Sequence, residues 1–90
     1  MGKRISLSRH AYDRIVERGA DDDFVLKVAY GQVKRSRLNS DRPNCVILTA
    51  WDDNGAAWSL IVDIINNTVV TVREANKKEK ENYAQKYQTP

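Results

Sequence analysis

The sequence contains few of the residues that cross-link a chain or bind a metal. Cys45 is the single cysteine among the 90 residues and His10 is the single histidine. A disulfide within the chain is therefore excluded, and a zinc site would need ligands beyond these two side chains. We expect neither a metal nor another cofactor. Because residues 45–48 are apolar, the thiol is predicted to be buried as a small hydrophobic side chain.

Long apolar stretches are also missing. The first ten residues lack the apolar segment of a signal peptide, and no run approaches the roughly 20 residues of a membrane-spanning helix. We therefore expect a cytoplasmic protein without a membrane partner. Ninety residues suffice for one domain with a modest core. The prediction is a single domain over residues 1–90, with its core in residues 5–75 and a polar helix and tail in residues 76–90.

The net charge of +3 is distributed unevenly along the chain. Residues 1–20, 31–44 and 73–90 carry net charges of +3, +3 and +2, whereas residues 21–30 and 45–72 carry −2 and −3. If the fold brings the three basic segments to one side, they form a surface that attracts phosphate groups. The alternative is a mixed surface that only keeps the protein dissolved, and charge alone favours this second interpretation.

Two helices are predicted near the N-terminus. The first runs over residues 9–18, with Ser8 as its N-terminal cap and Gly19 as its stop. Asp21 or Asp22 caps the second, which runs to about residue 30 with Gly31 as its stop. Its acidic first turn favours a helix, because negative charge there interacts well with the helix dipole.

After residue 31 the apolar residues alternate with polar ones, which indicates strands. Four strands are predicted, over residues 32–37, 44–51, 56–64 and 68–74, with a loop as the alternative for the first. Asn54-Gly55 and Asn66-Asn67 supply the tight turns between the last three. Helices followed by a run of strands indicate an α+β fold. We expect two N-terminal helices packed on a four-stranded antiparallel meander, followed by a C-terminal helix that Asn76 caps.

The alternation also predicts which side chains share a face of the sheet. The face turned towards the helices should carry Trp58, Leu60, Val62, Ile64, Val70 and Val72. The opposite face should carry Asp63, Thr71 and Arg73, together with Thr49 or Trp51. We expect functional residues on this opposite face.

Two segments resemble a known family. Residues 8–19 read SRHAYDRIVERG and residues 69–74 read VVTVRE. They resemble small bacterial and phage domains with the pattern S-x-H-A-x-x-R-x-x-E-R-G in the first helix and a similar last strand. The resemblance covers most of residues 5–75, although the loop between the first two predicted strands departs from the pattern. The family is grouped with the RelE-like and BrnT-like toxins, in the barnase–EndoU–colicin–RelE class of ribonuclease folds.

The resemblance implies an α+β ribonuclease-type fold that acts on RNA and has its active surface on the sheet. It also implies a partner protein, either a cognate antitoxin, an immunity protein or a host protein. The positions that match the family pattern are His10, Arg14, Glu17, Arg18, Thr71 and Arg73.

RNA cleavage by the 2′-hydroxyl needs a general base, a general acid and cations around the phosphate. His10 can serve as base or acid, because imidazole titrates near neutral pH. Arg14 and Arg73 are candidates to clamp the phosphate, and Thr71 can donate a hydrogen bond to it. These four are the predicted catalytic residues. The predicted RNA-binding residues are Arg18, Lys34, Arg35, Arg37 and Asp63, of which Asp63 would also orient His10 if the two are close.

Each of these residues also has a structural interpretation. His10 would cap or pack the first helix, Arg14 and Arg18 would form surface ion pairs that contribute little, and residues 34–37 would be a solvated strand edge. Two functional hypotheses remain. One is a metal-independent endoribonuclease of the toxin type. The other is a non-catalytic module on the same fold that binds nucleic acid or protein, such as a phage-encoded inhibitor of a host protein.

Overall fold

Residues 4–87 are described by the structure, a computed structural model, and they form three helices and five strands. The α+β class is confirmed. No helix within this range is both long enough and apolar enough to cross a membrane. In chain order the elements are β1 (Ser6–Leu7), α1 (Arg9–Arg18), α2 (Asp22–Ala29), β2 (Ser36–Asn39), β3 (Cys45–Trp51), β4 (Ala57–Asp63), β5 (Thr68–Glu74) and α3 (Lys77–Tyr87).

The five strands form one mixed sheet in the order β1-β5-β4-β3-β2. The strands β2 to β5 are the predicted antiparallel meander, but β1 pairs in parallel with β5. The prediction of four strands, all antiparallel, is therefore wrong at this edge. A strand of two residues, Ser6 and Leu7, is too short to show an alternation of apolar and polar residues. Its pairing with Thr68 and Val69 depends on contacts far apart in the sequence.

Local signals placed the helix ends well. The Ser8 side chain accepts a hydrogen bond from the Ala11 N–H, and Gly19 ends α1 with a φ of 68°. The Asp21 side chain caps α2 by accepting from the Asp23 N–H. These caps are confirmed because a side-chain cap or a left-handed glycine acts within a few residues of the helix end. The turns between β3, β4 and β5 are also confirmed, with positive φ at Gly55 and Asn67.

The first strand of the meander begins later than predicted, at Ser36 rather than residue 32. The residues before it serve the end of α2 instead. The Arg35 guanidinium donates from Nη1 to the carbonyl oxygens of Val28 and Ala29, at 2.6 and 2.9 Å. These two carbonyls lie in the last turn of α2, where backbone oxygens lack partners within the helix. Arg35 is therefore positioned by α2.

The main core lies between one face of the sheet and the helices α1 and α2. Trp58, Leu60 and Val62 of β4 face it as predicted. Ile64 does not, because it lies in the turn after β4 and is 43% exposed. Val70 was also wrongly assigned to this face.

A β-bulge in β5 explains the error at Val70. Ile61 pairs with Thr71, and the next residue of β4, Val62, pairs with Val69, so that Val70 is inserted between the two pairs. The insertion lets Val69 and Val72 both point into the core, where each is fully buried. A bulge changes the alternation of faces along a strand, so an uninterrupted period of two misplaces one residue.

The opposite face of the sheet is organised in two cross-strand rows. Register places Ser36, Thr49, Ser59 and Arg73 side by side across β2, β3, β4 and β5, and we call them the polar row. The neighbouring positions are Leu38, Ile47, Ile61 and Thr71, which we call the open row. Helix α3 packs against β2 and β3 on this side, and its Glu79 bonds Ser59 and Arg73 of the polar row. The open row lies beside α3.

Candidate functional site

A pocket of about 640 Å³ opens over the end of the open row that is nearest to α1. Four chain segments supply its walls: the start of α1, the loop between β2 and β3, the strand β4, and the bulged part of β5. We call it the His10 pocket. Its lining residues are Ser8, His10, Ser40, Asp41, Arg42, Ile61, Val70 and Thr71. The fold thus places His10 and Thr71, two predicted catalytic residues that are far apart in the sequence, in the same pocket.

Ser8 positions His10 on this face. Its hydroxyl donates to the carbonyl of Val70 at 2.8 Å, and its backbone N–H donates to the carbonyl of Val69 at 3.0 Å. The same hydroxyl caps α1 by accepting from the Ala11 N–H. The first turn of α1 is therefore attached directly to the bulge in β5. His10 lies in that first turn, so the cap and the bulge together bring the imidazole to the sheet face.

The loop between β2 and β3 contributes two charged residues that sequence reasoning did not select, Asp41 and Arg42. The loop is held in shape by its own hydrogen bonds. The Arg42 N–H donates to the Ser40 hydroxyl at 3.1 Å, the Cys45 N–H donates to the Arg42 carbonyl at 3.2 Å, and Asn44 has a φ of 64°. This loop departs from the family pattern. The feature of the sequence that could have indicated a role for this loop is the excess of positive charge in residues 31–44.

The His10 pocket combines groups with complementary chemistry. His10 and Asp41 provide an imidazole and a carboxylate, which are groups that can transfer a proton to or from a ligand. Arg42 provides a fixed positive charge, and Ser40 and Thr71 provide hydroxyl groups. Ile61 and Val70 form the apolar part of the wall. A pocket with apolar walls and a few polar groups is typical of sites for small molecules or for parts of a polymer.

A second pocket of about 240 Å³ borders the first at Asp41, which lines both. We call it the Arg73 pocket, and the two pockets together the groove. The groove follows the open row between the β2–β3 loop and α3. The Arg73 pocket is lined by Leu38, Asn39, Asp41, Ile47, Arg73, Asn76, Lys78 and Glu79.

Arg73 is bound by the carboxylate of Glu79. Two hydrogen bonds join them, from Nη1 to Oε1 at 2.7 Å and from Nη2 to Oε2 at 2.6 Å. Glu79 is only 2% exposed, whereas the Arg73 side chain is 33% exposed. The ion pair raises the pKa of Arg73 above its usual value. The predicted phosphate clamp is thus engaged by a carboxylate of the chain itself.

Glu79 accepts two further hydrogen bonds at Oε1, from the Ser59 hydroxyl at 2.7 Å and from the Asn76 N–H at 3.0 Å. The Asn76 side chain in turn accepts from the Glu79 N–H at 2.9 Å. These reciprocal bonds form a capping box at the start of α3. Burial alone would raise the pKa of Glu79, but the bonds from Arg73, Asn76 and Ser59 outweigh it, so the pKa lies below its usual value.

The other predicted residues lie outside the groove. Arg14 forms a surface ion pair with Glu17 at 2.9 Å. Arg18 donates to the carbonyl of Val72 at 3.2 Å and so links α1 to β5. Asp63 accepts hydrogen bonds from Ile65 and Asn66 in its own turn, and the bonds from Asn66 lower its pKa. It does not line the His10 pocket.

The basic residues of the segment before and within β2 lie against α3. The Arg35 backbone N–H donates to the Tyr87 hydroxyl, and that hydroxyl donates to the Arg35 carbonyl. The Lys34 ammonium lies 5.7 Å from the centre of the Tyr87 ring. Arg37 is exposed. The structure therefore associates these residues with the docking of α3 rather than with the groove.

Among residues 4–87, no three His, Cys, Asp or Glu side chains come together as a metal site requires. Comparisons of the chain with protein-family models, with curated proteins and with solved structures find no match. The candidate site therefore depends on its own geometry.

Proposed function

We propose that this chain binds RNA in the groove and cleaves it without a metal, as a toxin-like endoribonuclease related to the RelE-like and BrnT-like families. One observation carries the proposal. His10, Arg42 and Thr71, which come from three distant segments, line a single pocket on the face of the sheet. The proposed setting is the bacterial cytoplasm, with RNA as substrate and a cognate antitoxin, immunity protein or host protein as partner.

The proposed reaction is attack of the RNA 2′-oxygen on the adjacent phosphorus. The Asp41 carboxylate takes the 2′-hydroxyl proton as the new O–P bond forms. Protonated His10 gives a proton to the 5′-oxygen as its bond to phosphorus breaks. The products are a 2′,3′-cyclic phosphate and a 5′-hydroxyl. Asp41 supplies the second proton-transfer group that a chain with a single histidine otherwise lacks.

The remaining groups of the His10 pocket stabilise charge and position the substrate. Arg42 neutralises the charge that develops on the phosphate, and the Thr71 hydroxyl donates to a non-bridging oxygen. The apolar side chains of Ile61 and Val70 provide a wall against which a sugar or base can pack. The acidic, basic, hydroxyl and apolar side chains of the pocket thus each include a residue with a role in the proposed reaction.

The test is incubation of the purified protein with total RNA in EDTA, together with His10→Ala, Asp41→Asn and Arg14→Ala variants. We expect cleavage by the wild type and by Arg14→Ala, whose ion pair lies outside the groove. Loss of either proton-transfer group should slow cleavage by about 10²–10⁴-fold. Mass spectrometry should find 2′,3′-cyclic phosphate ends. RNA that stays intact at high protein concentration would refute the proposal.

A non-catalytic binding module is the second candidate, and the state of Arg73 favours it. The cation best placed on the sheet face is neutralised by Glu79, which leaves Arg42 as the basic residue that lines the His10 pocket. Salt-sensitive RNA binding without any cleavage would support this candidate. Expression in a bacterial host separates the two further, because a toxin should arrest growth and a phage-type inhibitor of a host protein should act only where its target is present.

A further inference from the structure

The side of the sheet beneath α3 has an unusual composition for a buried surface. Ser36, Thr49 and Ser59 are each at most 1% exposed, and the register extends this row to Arg73. The Thr49 and Ser59 hydroxyls are 2.7 Å apart, and Ser59 donates to Glu79. Hydroxyl and guanidinium groups in a row match the oxygens of a polyanion. An apolar row would have held a helix more strongly.

The two ends of helix α3 are correspondingly held by polar contacts. Within Lys77–Tyr87, Glu79 is the buried residue, and it is a charged one. Further along α3, Lys86 and Tyr87 bond the Arg35 carbonyl at 2.9 and 2.7 Å. Such bonds replace bonds to water, so each contributes little net stability. The gain from the ion pair between Glu79 and Arg73 is likewise offset in part by the cost of removing its charges from water. The contacts that attach Glu79 of α3 to the sheet are therefore of a kind that another anion can also make.

The Glu79 carboxylate occupies a complete anion site. It accepts four hydrogen bonds, two from Arg73, one from the Ser59 hydroxyl and one from the Asn76 N–H. The two non-bridging oxygens of an RNA phosphate present the same two acceptors to a guanidinium group as a carboxylate does. The site also borders the groove, because Arg73, Asn76 and Glu79 all line the Arg73 pocket.

We propose that Arg73 and Ser59 form a second phosphate subsite of the groove, which Glu79 of α3 occupies in place of an RNA phosphate, so that α3 and RNA compete for the sheet. The inference rests on the proposed binding of RNA in the groove. When α3 leaves, the polar row becomes accessible across all four strands of the meander, next to the open row on which the His10 pocket lies. An RNA strand would then contact Arg42 at one phosphate and Arg73 at another.

The experiment measures binding of a fluorescein-labelled, single-stranded 2′-O-methyl RNA by fluorescence anisotropy. This RNA lacks the attacking hydroxyl and so reports binding without cleavage. The main variant is Glu79→Gln, because glutamine keeps the capping box and removes the competing charge. The matched control is Glu81→Gln, which removes the same charge from an exposed position on the same helix.

We expect Glu79→Gln to bind the RNA about tenfold more tightly than the wild type, since a charge-assisted contact becomes available to the phosphate. Glu81→Gln should change the affinity much less. Adding Arg73→Gln to Glu79→Gln should remove the gain. In the wild type, added RNA should accelerate amide hydrogen exchange in α3. A Glu79→Gln affinity equal to that of the wild type or of Glu81→Gln would overturn the inference.

Tyr87→Phe tests the same idea from the other end of α3, and it decides the matter if Glu79→Gln does not fold. It removes both bonds to Arg35 and leaves Glu79 and Arg73 in place. Looser docking of α3 should again tighten RNA binding, whereas unchanged or weaker binding would count against competition. The outcome is separable from the cleavage proposal. Tight binding by Glu79→Gln without cleavage of natural RNA refutes only the nuclease, and cleavage by the wild type without any gain refutes only the competing helix.

Discussion

The indole Nε1 of Trp58 donates a hydrogen bond to Oδ2 of Asp52 at 2.9 Å, across the turn that joins β3 to β4. The other carboxylate oxygen, Oδ1, accepts from the backbone N–H groups of Asn54 and Ala56. Trp58 is 6% exposed and belongs to the core. One aspartate therefore links the tight turn to the hydrophobic core and satisfies the polar atom of a buried tryptophan.

We expect Asp52→Ala to lower the free energy of unfolding by about 1–3 kcal/mol, because the Trp58 N–H would be left buried without its partner. Urea denaturation followed by tryptophan fluorescence measures the effect. Asp53→Ala is the control, since its exposed side chain lies in the same turn. An equal effect of the two substitutions would show that the bond to Trp58 contributes nothing specific.

Glu79 should make stability depend on pH. Its pKa is lower in the folded protein than in the unfolded chain, so protonation favours unfolding. Its stabilising contribution is complete above the unfolded value of about 4.3 and is lost as the pH falls through the lower folded value.

The measurement compares the unfolding free energies of the wild type and Glu79→Gln from neutral to strongly acidic pH. The wild type should lose its advantage as the solution becomes acidic. The lowered pKa values of Asp52 and Asp63 act in the same direction, but both residues are present in both proteins and cancel in the difference. A difference that stays constant with pH would contradict the ionised pairing of Glu79.

Arg35 and Arg37 should behave differently although both were predicted to bind RNA. Arg35→Ala removes the donor to the last turn of α2 and should destabilise the fold by about 1–3 kcal/mol. Arg37→Ala changes an exposed side chain and should alter stability by no more than about 0.5 kcal/mol. Thermal unfolding of both variants tests this, and similar melting temperatures would contradict the structural role of Arg35.

Arg42 should carry the salt dependence of RNA binding if the groove is the binding site. Arg42→Ala should weaken binding and reduce the slope of log K against log salt by about 0.7, the value for one contact with a single-stranded backbone. Arg14→Ala should leave the slope unchanged, because Arg14 pairs with Glu17 outside the groove. Equal slopes for wild type and Arg42→Ala would place the RNA elsewhere.

A small part of the candidate site could be predicted from the sequence. His10, Thr71 and Arg73 line the groove, whereas the other predicted residues lie outside it. Alternation placed Thr71 and Arg73 on one face with Thr49 or Trp51, and register confirms the pairing of Arg73 with Thr49 through Ser59. The presence of Asp41 in the pocket was not predicted, since a loop residue carries no periodic signal. Its place in the same pocket as His10 depends on how the β2–β3 loop meets α1 over the open row.

The sequence by itself determined the local structure of this protein. Ser8, Gly19 and Gly55 act through the backbone of their immediate neighbours, so the helix limits and the turns were readable from the chain. Only the tertiary structure decided the parallel pairing of β1, the bulge at Val70 and the burial of Glu79. Each of these depends on groups that meet across strands or between a helix and the sheet, and their energies arise only when distant segments are packed together.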